Sequence, residues 1–446
     1  MDTPICDFVR RYAESGTLRL HMPGHKGSSV LGCEALDITE ISGADSLYEA
    51  NGIISQSEEN ASILFGCPTF YSTEGSSQCI RAMIQLALLG AKQAGRAPKI
   101  AAARNVHKTF LSAAALLDVT VDWLYPDVYT AYLTCDITKD DLERYFESCE
   151  ELPAAVYVTS PDYLGNLLDI GSLAEVCHRY GTLLLVDNAH GAYLHFLSPS
   201  RHPMDLGADL CCDSAHKTLP VLTGGAYLHI RDPQLALQAK NALALFGSTS
   251  PSYLILQSLD AANALLDNRE YTQRLSELCF HVAGCKEALT HYGINANNGA
   301  EPLKITLYPR LFGYTGTELA AYLRKNGIEC EFADPDFLVL MVTPAITEAD
   351  LERLVGILTA LPRRSPLLTA PPLIRPGKRA MSIREAMLAV NETVPVAESI
   401  GRILAAPSIG CPPAVPILVC GERIDETAVK NFLYYGMKHC AVVKEM

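Results

Sequence analysis

Leu183-Leu184-Leu185-Val186-Asp187-Asn188-Ala189-His190 runs four apolar residues into an acid, an amide and a histidine. A short unbroken apolar run of this kind reads as a strand buried on both faces, as in a parallel sheet. Asp187 then falls at the strand's C-terminal end, where a carboxylate is costly unless a charged or hydrogen-bonding partner meets it. A pyridinium nitrogen is one such partner. A metal ion shared with His190, or a helix cap, is another.

Downstream, Leu210-Cys-Cys-Asp213 repeats the pattern and leads into Ser214-Ala-His-Lys-Thr218, with Gly224-Gly225 close behind. A lysine after a buried strand, flanked by hydroxyl residues and His216, has the chemistry of a Schiff-base site. Desolvation favours the neutral amine, and the neighbouring donors can hold a phosphate. A solvated strand-end lysine is the plainer alternative. Upstream, Tyr71-Ser-Thr-Glu-Gly-Ser-Ser77 precedes a long amphipathic pattern. Hydroxyls and a glycine at a helix N-terminus form an anion site, or simply a cap.

Between about residues 60 and 260 the chain alternates short apolar runs with amphipathic stretches, the pattern of a mostly parallel sheet wrapped by helices. Strands are predicted at Ile100–Ala103, Ala155–Thr159, Leu183–Val186, Leu210–Asp213 and Gly225–His229, and helices at Ser76–Ala94, Leu173–Tyr180 and Tyr253–Asp267. A short helical pattern at Ile5–Glu14 is followed by a Gly/Pro/His-rich stretch, Leu20 to Ser28, that cannot continue a helix. Later, Thr272–Tyr292 and Thr317–Asn326 read as helices around strands near Lys304–Leu307 and Phe337–Val342. A Pro/Arg-rich joint from Leu361 to Arg379 introduces a last segment too long for a simple tail. The expected division is an N-terminal arm and loop at 1–60, a large α/β domain at 61–267, a small α/β domain at 268–362 and a C-terminal segment at 363–446.

The 446 residues are 49% hydrophobic and 19% charged, which describes a globular protein with a substantial core. A net charge of -14 argues against sequence-independent nucleic-acid binding, which needs Lys and Arg against phosphates. The 15 cysteines are scattered singly except for Cys211-Cys212, without a Cys-x-x-Cys pair or short His/Cys cluster. They imply a reduced chain rather than a disulfide scaffold or a zinc site. The N-terminus lacks a signal-peptide core, and no apolar run approaches membrane-spanning length. The expectation is a soluble, cytoplasmic protein with no nucleic acid, membrane or metal partner.

Together the three chemical stretches resemble the fold-type I pyridoxal-phosphate enzymes, and the wider set of motifs resembles the bacterial ornithine/lysine/arginine decarboxylases. That set has nine members in order: His21-Met-Pro-Gly-His-Lys-Gly27, Asp37-Ile-Thr-Glu40, Ser72–Ser77, Arg104-Asn-Val-His-Lys108, Thr159-Ser-Pro161, Asp187–His190, Ser214–Lys217, Ser248-Thr-Ser-Pro-Ser-Tyr253 and Gly421-Glu422. The resemblance implies an α/β fold-type I large domain with a smaller C-terminal α/β domain. It also implies decarboxylation of a basic L-amino acid in polyamine metabolism, by a homodimer or higher oligomer.

By the same resemblance, Lys217 would carry pyridoxal 5'-phosphate, Asp187 would keep its ring nitrogen protonated and His107 would stack on the ring. Thr73, Gly75, Ser76, Ser214 and His216 would surround the phosphate, with the motif residues His190 and Ser160 nearby. Ser248 or Thr249 would reach a phosphate in the partner subunit. His25 and Lys26, and above all Glu422, are candidates for the substrate. A basic side chain buried beside the cofactor needs a carboxylate partner, and Glu422 follows the apolar run Val415–Cys420. On residue type alone, His107 reads as a surface or capping residue and Glu422 as a solvated turn glutamate.

Asp162 stands where the family commonly has a hydroxyl, Tyr193 where a second histidine often follows, and Cys411 and Cys420 interrupt the late Pro-rich stretch. The same lysine, aspartate and phosphate cradle would also serve an aminotransferase or a lyase, or persist in a catalytically inactive cofactor-binding regulator.

Overall fold

The computed structural model describes residues 1–93, 95–127, 131–296, 300–407 and 413–445. Ala94 and Cys411, named above, lie outside the described residues. A mainly parallel seven-stranded sheet organises the chain: β1 (Thr69–Ser72), β2 (Lys99–Ala103), β3 (Thr120–Leu124), β4 (Ala155–Thr159), β5 (Leu183–Asp187), β6 (Leu210–Asp213) and β7 (Ala226–Ile230). The chain divides into two compact units, Met1–Ala97 with Cys177–Gln273 and Pro98–Val176 with Arg274–Met446. This differs from the linear four-part division expected.

In the first unit the strand order is β1, β7, β6, β5. β5 and β6 are parallel, with Val186 opposite Cys211 and Asp187 opposite Cys212. β7 runs antiparallel to both β6 and β1. β6 and β7 are buried throughout and β5 in all but its first residue, which is why their sequences are mostly apolar rather than alternating, with His229 the polar exception inside β7. Helix Ser76–Gln93 packs on β6 and β7, and its buried Ile80, Met83, Ile84 and Ala87 recur at a one-face spacing. β1 escaped the sequence reading because only four residues form it and hydroxyls stand at both ends. Its buried Tyr71 earns its place through hydrogen bonds, Oη lying 2.7 Å from Ser57 Oγ and 2.6 Å from Asn263 Nδ2.

In the second unit β2 lies between β3 and β4, parallel to each. β3 was also missed. Its sequence, Thr-Val-Asp-Trp-Leu, is only partly buried and has no apolar run to find. The strands predicted near Lys304–Leu307 and Phe337–Val342 become β9 (Lys304–Tyr308) and β11 (Leu338–Met341) of a four-stranded antiparallel sheet, which β8 (Asn295–Ala296) and β10 (Phe332–Ala333) complete in the order β10, β11, β9, β8. Helices Arg269–Tyr292 and Gly316–Lys325 fall within a few residues of their predicted ranges.

The C-terminal segment does not stand apart from 98–176. Ile417, Leu418, Val429, Phe432 and Val442 share one buried cluster with Tyr132, Tyr163 and Phe332. Asp336 holds the segment by hydrogen bonds from the hydroxyls of Tyr434 (2.6 Å) and Tyr435 (3.2 Å) and from Arg310 Nη1 (3.2 Å). The departure at Asp162 has a local reason. Its Oδ1 accepts the amides of Leu164 and Asn166 at 2.9 Å each, and Oδ2 accepts Asn166 Nδ2 at 2.7 Å, closing the 160–166 turn. Burial pushes its carboxyl up to about 6 even though the Asn166 hydrogen bonds pull the other way.

Helix Ile53–Phe65 has a glycine at its N-cap and no capping side chain there. Buried Asp45 substitutes from outside, accepting amide hydrogens from Asn51 (3.1 Å), Gly52 (2.8 Å) and Ile54 (3.1 Å). Asp45→Ala is expected to remove about 2 kcal/mol or more, the sum of a lost cap and stranded amides. Thermal unfolding followed by circular dichroism should show Tm several degrees lower, while Asp45→Asn retains part of the loss.

Candidate active site

β5 and β6 end side by side, and each releases a functional turn. The open ends of parallel strands are where α/β sheets collect ligands, because helix N-termini and short loops converge there. From β5 the chain passes through buried Asp187 and Asn188 to buried His190. From β6 it passes through Ser214 into the one-turn helix Ala215–Thr218, which carries Lys217. The turns meet where Lys217 Nζ lies 2.9 Å from His190 Nε2. Both atoms are nitrogens, so one proton serves the contact.

Beside them stands the N-terminus of helix Ser76–Gln93. Ser214 Oγ donates to Ser76 Oγ at 2.8 Å, so two hydroxyls sit against the helix's first turn. The preceding loop is tied down: Gly75 N–H donates to Gly224 O at 2.7 Å, and a Cβ on Gly224 would come within 2.8 Å of Thr73 O. His216 is oriented by Gly225 O, to which its backbone N–H (3.1 Å) and Nδ1 (2.9 Å) both donate. Gly75 has φ +71°, a left-handed conformation that favours glycine, and a Cβ there would come to 3.9 Å from the His216 ring. Asp187 Oδ1 accepts Ala189 N–H at 3.2 Å and faces Cys212 Sγ at 3.7 Å. Ser248 N–H donates to Glu74 Oε1 at 2.6 Å, so the 248–250 turn is anchored on this chain's own Glu74, next to Gly75. Thr249 beside it is exposed.

This donor set fits pyridoxal phosphate. Paired hydroxyls at a helix N-terminus suit the phosphate, an amine suits the aldehyde and a buried carboxylate suits the ring nitrogen. Asp187 and His190 do not belong to either group of three or more side chains with metal-ligand spacing. Among the described residues the groups with ligand spacing are His195, His202 and Asp205, and His202, Cys211 and Asp213.

The family model described as "Orn/Lys/Arg decarboxylase, major domain" matches residues 3–306. The chain belongs to the Orn/Lys/Arg decarboxylase family. It is 30% identical to an arginine decarboxylase of Halalkalibacterium halodurans over 95% of this chain and 91% of that protein. It is 28% identical to an arginine decarboxylase of Bacillus subtilis over 95% and 92%. In fold it is similar to the lysine decarboxylase of Francisella novicida, with a TM-score of 0.83 at 18% identity over 99% of this chain and 81% of that one. This Orn/Lys/Arg decarboxylase is therefore a pyridoxal-phosphate-dependent carboxy-lyase acting on a basic amino acid. Among the described residues no helix is long and apolar enough to cross a membrane.

The remaining candidates of this decarboxylase have their own surroundings. His25 is engaged within the arm: Nδ1 accepts Gly27 N–H at 3.0 Å and Nε2 lies 3.2 Å from Asp37 Oδ2. Lys26 Nζ donates to His21 O, and its backbone has φ +56°. In the second unit, Ser160 Oγ accepts Leu168 N–H at 3.1 Å. His107 is the N-cap of helix Lys108–Leu117, where Nδ1 accepts Thr109 N–H at 3.2 Å and so leaves Nε2 to carry the ring proton. The capping alternative describes its local role. It also fixes the plane of the ring.

Glu422 is no solvated turn. It is 5% exposed and lines a cavity of about 230 Å³ with Trp123, Tyr125, Arg379, Met381 and Cys420. Its Oε2 accepts Val419 N–H at 2.8 Å and lies 3.6 Å from the Nη2 of buried Arg104. Burial raises its carboxyl and Arg104 counters that. Arg104 also donates to Pro416 O (3.0 Å) and Ile417 O (3.2 Å) and lies over the Trp123 ring. The sequence reading passed over Arg104, although an arginine inside a motif beside an apolar strand is the signal that could have found it. A cation therefore already resides beside this carboxylate. Removing one partner of a buried pair costs about 3–5 kcal/mol. Glu422→Ala is expected to lower stability by an amount in that range in urea unfolding, whereas Glu422→Gln, which still accepts from Val419, should lose less.

Proposed function

We propose that the chain decarboxylates L-arginine in the cytoplasm, in a step of polyamine formation, through a site built on Lys217, Asp187 and His190. The observation that carries the reading is the 2.9 Å contact between Lys217 Nζ and His190 Nε2, on a turn that begins with buried Asp187. Arginine is favoured because the two curated relatives described above are arginine decarboxylases. The described cysteines are all unbridged, which suits a reducing compartment.

Bound pyridoxal phosphate supplies an electron sink for the pair left behind when carbon dioxide departs. Ser76 and Ser214 hydroxyls, the first-turn amides of helix Ser76–Gln93, and Thr73, Gly75 and His216 hold the phosphate. Asp187 keeps a proton on the ring nitrogen, because a buried carboxylate favours the charged form of what it faces. Lys217 Nζ would be the amine that holds the group through its aldehyde. His190 takes or returns the proton that Lys217 Nζ gives up. By the motif resemblance His107 would stack on the ring and Ser160 would be a further cofactor-binding residue. Glu422 keeps the role toward the substrate's distal charge that the motif resemblance assigns, with Arg104 already beside it.

A homodimer is proposed on the arm. Leu20 is 84%, Val30 84% and Leu31 86% exposed, flanking His25 and Lys26. Apolar side chains grouped so openly call for a cover, and a second copy carrying the same arm provides it.

Amine release from arginine, lysine and ornithine, measured by chromatography with carbon dioxide evolution, tests the substrate. Arginine should lead in kcat/KM by tenfold or more, roughly 1.4 kcal/mol. A lead for lysine or ornithine overturns the substrate, and keto acid in place of carbon dioxide overturns the reaction. Lys217→Ala should abolish both activity and the visible absorbance of lysine-bound cofactor. Asp187→Asn should lose on the order of 10²–10³ in kcat, the scale of one preorganised charge contact. Mixing Lys217→Ala subunits with Ser248→Ala/Thr249→Ala subunits should restore part of the activity, and no recovery after demonstrated subunit exchange would count against a shared site.

A further inference from the structure

Behind the site, on the other face of the sheet, lies a second buried carboxylate that the chemistry above does not use. Side chains alternate along a strand, and cross-strand partners share a face. Asp187 faces the same side as its partner Cys212, so Asp213 lies on the opposite side with Cys211 and with His229, the partner of Cys211. Asp213, His202 and His229 are all 0% exposed.

Asp213 collects three N–H donors. Asn188 Nδ2 reaches Oδ1 at 2.7 Å, and His202 Nε2 and His229 Nε2 each reach Oδ2 at 3.1 Å. The outer bonds of the two imidazoles differ. His202 Nδ1 accepts Met204 N–H at 3.3 Å, so its Nε2 carries the proton. His229 Nδ1 lies 2.9 Å from Thr69 Oγ1, whose own hydroxyl donates to Cys67 O at 2.9 Å. Burial opposes charge on Asp213, yet the two imidazoles outweigh that and hold its carboxyl well below the usual range, while burial lowers His229. Three N–H donors thus converge on one buried carboxylate.

The donor from Asn188 links this cluster to the site. Asn188 is 0% exposed, donates its backbone N–H to Cys212 O at 3.0 Å and accepts Gly191 N–H at 2.8 Å. Its side chain is packed so closely against the turn that a Cβ on Gly191 would lie 2.0 Å from Asn188 Oδ1. The pinned turn carries Asp187 immediately before Asn188 and His190 two residues after it. Asp213 itself directly precedes Ser214 and the helix of Lys217. One carboxylate therefore touches both arms of the site from behind.

We propose that Asp213, with His202 and His229, is a positioning unit that holds the Asp187–His190 turn and the Lys217 helix in register for cofactor binding and catalysis. This rests on the roles given above to Asp187 and Lys217. Lys217→Ala and Asp187→Asn test those roles separately, so a failure here leaves them standing.

Asp213→Asn puts an amide among three donors and cannot accept from all of them. His229→Gln keeps an N–H donor toward Asp213, and His229→Leu removes it. The full chain of each variant should be titrated with pyridoxal phosphate by absorbance, assayed for kcat and KM, and melted as apoprotein. Asp213→Asn and His229→Leu should weaken cofactor affinity and lower kcat by about 10–100-fold, the scale of a slightly misplaced catalytic group. KM should move less than about threefold, as expected when a transition-state interaction is lost. His229→Gln should recover most of the lost affinity and rate. Wild-type affinity and kcat in a folded Asp213→Asn, or equal losses in His229→Leu and His229→Gln, would overturn the proposal. If Asp213→Asn does not fold, the His229 pair decides. One equivalent of zinc in the purified protein by mass spectrometry, lost in His202→Gln, would also overturn it by making the cluster a metal site.

Discussion

A carboxylate at the buried end of a strand must be met by protons or by a cation, and this chain places two of them at the ends of neighbouring strands. Asp187 closes β5 on one face of the sheet and Asp213 closes β6 on the other. Water cannot solvate either, so the surrounding chain has to. Behind the sheet it does so with Asn188, His202 and His229. On the other face the same demand suits a cofactor whose ring nitrogen bears a proton. The turns after the two strands inherit their positions from these partners, and Lys217 meets His190 as a result.

The second unit obeys the same constraint with different residues. Arg104 is among the largest fully buried side chains, and it is tolerated because carbonyls of 416 and 417, the Glu422 carboxylate and the Trp123 ring receive its charge. Asp336 is met by two tyrosine hydroxyls and Arg310. In both cases one partner comes from the C-terminal segment and the other from earlier in the chain. The segment is therefore part of the unit's core rather than an appendage, and a linear cut at residue 362 does not describe it.

Much of the fold was legible because burial writes itself into sequence. β4, β5 and β6 are apolar runs up to their last residue, and the helix at Gly316–Lys325 announces its start with Thr315 and Glu318, a reciprocal cap. β1 and β3 were not legible, since Tyr71 and Asp122 are polar positions whose partners, Ser57 with Asn263 and Tyr145, are far away in sequence. Likewise Asp162 looked like a deviation from a family pattern until its turn was seen to need an acceptor for three N–H groups.

By itself the sequence determined the strand-end chemistry: a lysine after one buried strand, an aspartate after another, and hydroxyls with glycine before a helix. Those are local facts, because strand ends, caps and left-handed glycines depend on residues a few positions apart. Which groups face one another was decided only by the tertiary structure. The pairing of Lys217 with His190, of Asp213 with two histidines and of Glu422 with Arg104 joins residues 11 to 318 positions apart. A polar residue near a buried strand advertises that it needs a partner but not which one, since the pairing energy depends on distance and desolvation that exist only after folding.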